Sequence, residues 1–137
     1  MTVVLRRALP AVPASVTALR HEVVDFVAAA GVGKQVVTGV RLAVSEAVTN
    51  AVVHAYVGAE HPGEVRVKAC VRDDEVVLTV SDDGRGMLPR LDSPGLGVGL
   101  PFIAHTADTL DIGRSDGGGA ELRMSFRIAA VGADRLS

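Results

Sequence analysis

The sequence predicts an α+β fold: a two-layer sandwich of a mixed, mainly antiparallel sheet with helices on one face. Three observations predict it. Two stretches of helical period fill the first part of the chain, up to about Tyr56. The apolar period then switches from 3.6 to 2 at Glu64. The strands after that point come in pairs joined by short turns, which favours antiparallel pairing, with the helices covering the apolar face.

Thr2 to Leu9 is short, rich in Val and Leu, and reads as a strand. Pro10 and Pro13 bracket a turn, and Ser15 stands where an N-cap hydroxyl would open a helix. From Val16 to Ala30 the residues Val16, Leu19, Val23, Phe26 and Val27 keep helical spacing, and Gly31 and Gly33 stop that helix. The longest helix runs from about Lys34 to Tyr56, with Val40, Val44, Ala47, Val48, Ala51 and Ala55 on one face. Val65, Val67, Ala69 and Val71 alternate with Glu64, Arg66, Lys68 and Arg72; Asp73-Asp74 turns the chain, and Val76, Leu78 and Val80 alternate in return. Asp82 to Gly99 holds five glycines and two prolines and reads as a long loop. Pro101 suits the first turn of a helix ending near Ala107, and a second hairpin follows, Thr109–Arg114 and Ala120–Ile128 around a Ser115–Gly119 turn.

At 137 residues the chain is the length of one domain, with a core over about residues 5–128 and a tail, 129–137, that frays. Apolar residues at 48% and charged residues at 22% are ordinary for a soluble globular protein. A formal charge of −2 carries no basic excess, so direct contact with nucleic acid or an anionic membrane is not expected. No apolar run reaches the length of a membrane span, and Val3–Leu5 before Arg6 and Arg7 is no secretory signal. Cys70, the single cysteine, forms no internal disulfide or metal cluster, and the expected compartment is the cytoplasm. It falls on the polar side of its strand and reads as an incidental thiol.

Three constellations could carry chemistry. Glu46, Asn50 and His54 recur at i, i+4, i+8 on the long helix and fall within a stripe of about 80°. A carboxylate and an amide project there from an otherwise apolar segment; the stripe is either a site or a solvated face. Ser81-Asp82-Asp83-Gly84-Arg85-Gly86 places a carboxylate at a strand end, able to accept from an exocyclic amine, before glycines that admit a close ligand. An ordinary Asp-Gly turn reads the same way. Gly95-x-Gly97-x-Gly99 leads into a helix N-terminus, an arrangement suited to phosphate, or is a flexible loop. It matches neither the dinucleotide fingerprint nor a Walker loop, and the protein-kinase signatures are absent.

Taken together, these segments carry a resemblance over roughly residues 5–128. Leu42 to Tyr56, reading LAVSEAVTNAVVHAY, resembles the N-box of the anti-sigma-factor serine kinases, and Asp82-x-Gly84-x-Gly86 and Gly95-x-Gly97-x-Gly99 resemble their two glycine boxes. Those kinases share the ATPase superfamily of gyrase, heat-shock chaperones and histidine kinases. The resemblance implies a histidine-kinase-like ATPase fold, ATP and Mg²⁺ as cofactors, and a role for each matching position. Glu46 would be the general base for an attacking serine, and Asn50 would bind Mg²⁺, which usually completes its octahedron with phosphates and waters. Asp82 would accept from the adenine amino group, with Gly84 and Gly86 lining the pocket and Gly95, Gly97 and Gly99 forming the lid. His54 matches a family position and is expected to be a structural, hydrogen-bonded histidine. One position departs: a Gly-Thr pair that usually helps hold adenine reads Gly119-Ala120, losing one hydroxyl hydrogen bond of about 0.5–1.5 kcal/mol.

The function the resemblance implies is an anti-sigma factor and ATP-dependent serine kinase, a homodimer in family terms, that binds a sigma factor and phosphorylates an anti-sigma-factor antagonist protein. The alternative is a non-catalytic module on the same fold that binds ATP, or only a protein partner.

Overall fold

The structure is a computed structural model, described here for residues 2–84 and 99–128. Its elements run β1 (Val3–Pro10), α1 (Pro13–Ala29), α2 (Lys34–Asn50) with a π-helical turn (Ala51–Ala55), β2 (Glu64–Val71), β3 (Glu75–Asp82), α3 (Gly99–Thr106), β4 (Thr109–Arg114) and β5 (Ala120–Arg127). The strands form one sheet in the order β1-β2-β3-β5-β4, and every neighbouring pair among the described residues is antiparallel, so the sheet is not mixed there.

Register decides which side chains meet the helices. Ala69, Leu78, Met124 and Leu110 lie in one cross-strand row, and Val67, Val80, Leu122 and Ile112 in the next. Leu19, Val23 and Val27 of α1, Val40, Val44 and Val48 of α2, and Leu100 and Ile103 of α3 close over that face in one apolar cluster. With so few aromatics, the core is filled mainly by Val, Ala and Leu at close spacing, where a lost methylene is felt directly.

Four local expectations are corrected. The first helix begins at Pro13 and its N-cap residue is Val12, because proline at the first helical position needs no N–H partner. Ser15 is instead buried inside the first turn, and its hydroxyl donates to the Pro10 carbonyl at 2.6 Å. The long helix is not regular to Tyr56: after Asn50 it widens into the π turn, a feature concentrated at functional sites. Cys70 is buried rather than on a polar surface, since its cross-strand neighbour on the outer face is Val77, also buried. Finally, the helical stretch Lys34–Ala55 is, by length and composition alone, apolar enough to cross a membrane. Its Val40, Ala43, Val44, Ala47 and Val48 lie in the core of the sandwich.

Candidate functional site

Asp82 is the fourth member of the alternation Val76, Leu78, Val80, Asp82, so the pleat turns its side chain to the helix-covered face. It is only 6% exposed, at the last position of β3. A carboxylate buried there must be hydrogen-bonded. Its Oδ1 accepts from the backbone N–H of Gly84 at 3.0 Å and of Ala120 at 3.2 Å. Both bonds land on one oxygen, which leaves Oδ2 without a partner among the described residues.

The two segments that hold Asp82 approach too closely for side chains. A Cβ on Gly84 would stand 1.9 Å from the Ala55 carbonyl oxygen. One on Gly119 would stand 2.2 Å from the Asp82 carbonyl oxygen and 2.5 Å from its Oδ1. Glycine at 84 thus lets the strand end sit flush against the π turn that closes α2.

That contact ties Asp82 to the helix bearing Glu46 and Asn50. Both are half-buried and one turn apart, about 6 Å along the axis. Asn50 Nδ2 is buried without a hydrogen-bond partner among the described residues, an orphaned donor of the kind a bound polar ligand satisfies. His54 is half-buried in the π turn, and no hydrogen bond to it exists among the described residues. The wider π turn shifts it off the i+8 position of a regular helix. Gly99 opens α3, while Gly86, Gly95 and Gly97 lie outside the described residues, as do Arg85 and most of the expected lid.

Sequence reasoning missed four residues that shape this end of the sandwich. The Tyr56 hydroxyl donates to the Glu64 carbonyl at 2.6 Å and accepts from the Asp83 N–H at 3.0 Å. Its ring lies where a side chain on Gly63 would stand, 2.4 Å from the nearest ring atom. Arg66 grips Asp83 with two bonds, at 2.6 and 3.0 Å. The Arg66 hydrogen bond holds the Asp83 carboxyl below its ordinary pKa. Ser115 is buried; its hydroxyl donates to the Asp82 carbonyl at 2.7 Å and accepts from the Gly119 N–H at 3.1 Å. The signals were faint: a lone tyrosine closing the long helix, a second aspartate beside the first, and a serine opening a glycine turn.

Tyr56→Phe removes a donor to Glu64 and an acceptor for the Asp83 N–H, both at exposed groups that water can reach. The expected loss is about 0.5–1.5 kcal/mol, a fall in Tm of roughly 2–5 °C for a domain of this size, read by differential scanning calorimetry.

The residues present fit ATP with a divalent cation. Asp82 offers an acceptor oxygen left unfilled among the described residues, Gly84 and Gly119 set buried backbone beside it with no side chain between, and Asn50 Nδ2 is a buried donor without a partner among the described residues, its amide oxygen being the atom that could hold the cation.

Known proteins are similar to this chain in sequence and fold. The histidine kinase-like ATPase domain family matches residues 9–126. An anti-sigma F factor of Pasteuria penetrans is 30% identical over 122 residues, covering 81% of this chain and 81% of that protein. The serine-protein kinase RsbW of Listeria monocytogenes is 37% identical over 105 residues, covering 77% of this chain and 65% of its own. The solved structure of the RsbU and RsbW domains of a Mycobacterium tuberculosis protein aligns with a TM-score of 0.72 over 92% of this chain, which spans 32% of that longer one, at 22% identity. The chain belongs to the anti-sigma-factor kinase family, within the histidine kinase-like ATPases.

Proposed function

We propose that this chain is an anti-sigma factor and ATP-dependent protein serine kinase. It phosphorylates a serine on an anti-sigma-factor antagonist and sequesters a sigma factor by partner switching. The observation that carries the reading is one contact: Gly84 against Ala55, which brings the strand end bearing Asp82 to the helix bearing Glu46 and Asn50.

Each residue has a task. Asp82, with Oδ1 held by two backbone donors, presents Oδ2 to the amino group of adenine. Gly84 lets the strand end bearing Asp82 seat against the Ala55 carbonyl, and Gly86, outside the described residues, is assigned to the adenine pocket by the family pattern alone. Asn50 would hold Mg²⁺ through its neutral amide oxygen, and its Nδ2 donor would be free to serve a phosphate oxygen. The phosphates are assigned to the glycine box that leads into α3, whose N-terminus at Gly99 favours negative charge; Gly95 and Gly97 of that box lie outside the described residues. Bound Mg-ATP supplies the phosphoryl group. Glu46 takes the proton of the incoming serine hydroxyl. In phosphoryl transfer the protein contributes mainly positioning and electrostatics, which suits a site with one carboxylate base and no covalent nucleophile.

The partners are a sigma factor and the antagonist. A homodimer working in the cytoplasm completes the proposal, in keeping with a lone, buried cysteine. The test is transfer of labelled γ-phosphate from Mg-ATP to a purified antagonist. Stoichiometric phosphoserine supports the kinase. Tight Mg-ATP binding without transfer to any antagonist supplied would instead support the non-catalytic module.

A further inference from the structure

We propose that Ser115 sets the purine specificity of the nucleotide site by fixing the orientation of the Asp82 carboxylate. This rests on the reading of Asp82 as the acceptor for the adenine amine.

The β4–β5 turn is closed by backbone bonds in addition to the Gly119 N–H that the hydroxyl accepts at 3.1 Å. Ser115 N–H already donates to the Gly119 carbonyl at 2.8 Å, and Gly118 N–H to the Ser115 carbonyl at 2.9 Å. The hydroxyl reaches outside the hairpin, to the carbonyl of a residue 33 positions earlier. The β3–β5 register runs as far as Ser81 opposite Glu121. One step further, two other bonds join the strands: the Ser115 hydroxyl satisfies the Asp82 carbonyl, and the Ala120 N–H is aimed at the Asp82 carboxylate.

The two bonds depend on each other. With its carbonyl served by Ser115, Asp82 leaves the Ala120 N–H for Oδ1. Without the hydroxyl, a buried carbonyl and the carboxylate compete for one N–H, and the carboxylate loses one of its two fixed donors. Gly119 cannot fill the gap, because any side chain there meets the Asp82 carbonyl and Oδ1. The hydroxyl missing at Ala120 is therefore matched by one at the other end of the same hairpin, acting on Asp82 rather than on the base. Ser115 is a positioning residue.

An oriented carboxylate discriminates position 6 of the purine. It accepts from the amine of ATP and repels the carbonyl oxygen of ITP, while a carboxylate free to rotate loses that contrast. The experiment is calorimetric binding of Mg-ATP and Mg-ITP to the full chain, as wild type, Ser115→Ala and Ser115→Thr, with thermal melts alongside. Wild type prefers ATP by on the order of tenfold or more. Ser115→Ala falls to within about threefold of parity, with ITP affinity nearly unchanged, and Ser115→Thr, which keeps the hydroxyl, regains the preference. If Ser115→Ala does not fold, Ser115→Cys is read the same way. A Ser115 variant that keeps the wild-type ATP-to-ITP ratio, however far its Tm drops, overturns the inference and leaves Ser115 a structural staple. A wild type with no preference between ATP and ITP overturns the reading of Asp82 itself, and this inference with it.

Discussion

Glu46→Gln keeps Mg-ATP affinity within about twofold and loses phosphoryl transfer by roughly 10²–10⁴-fold, the usual worth of a positioned general base. The substitution is close to isosteric, and glutamine is as good a helix former as glutamate, so α2 is retained. Glu46 is half-buried and has no hydrogen bond within the described residues that an amide would forfeit. What changes is the ability to take a proton. Calorimetry with Mg-ATP and a transfer assay on the antagonist separate the two effects. Undiminished transfer by the variant would remove Glu46 as the base.

Gly84→Ala is expected to cost about 3 kcal/mol of stability, near 10 °C in Tm, and to weaken Mg-ATP binding by more than tenfold. The added methyl would meet not a movable side chain but backbone: the Ala55 carbonyl oxygen at 1.9 Å and its carbon at 2.4 Å. Either β3 or the π turn must shift, and each carries part of the site. Movement of β3 also strains the Gly84 N–H bond to Asp82. Scanning calorimetry and nucleotide titration read both consequences. A variant with wild-type Tm and affinity would show that the strand end and the helix are not coupled through this contact.

The sequence made most of the architecture legible because period and burial coincide here. The alternation through Val76, Leu78 and Val80 continues to Asp82, so the inward direction of the carboxylate follows from counting by twos. The helix carrying Glu46 and Asn50 was legible in the same way, from its apolar face. Other features were not local. A π turn keeps the composition of a helix, so nothing in the residues Ala51–Ala55 announced the change of pitch. Ser15 carried a good capping signal that Pro13 overrode from two residues away. Tyr56 and Ser115 act across 27 and 33 positions of sequence, on backbone groups that have no residue signature of their own. Gly84 was legible as a glycine of a motif, but its contact with Ala55 exists only once the sheet and helix are packed. Of the glycines assigned to the pocket and lid, Gly86, Gly95 and Gly97 lie outside the described residues.

The central claim is a nucleotide site built around Asp82, and Mg-ATP binding by calorimetry to wild type and Asp82→Asn tests it most directly. Asparagine can keep an oxygen for the Gly84 and Ala120 N–H groups, so the strand end holds. In place of Oδ2 it then presents an amide donor to the adenine amine, and a favourable contact becomes donor against donor. The account predicts micromolar to sub-millimolar binding by the wild type and none by the variant. A wild type that does not bind Mg-ATP, or a variant that binds it equally well, would contradict the account.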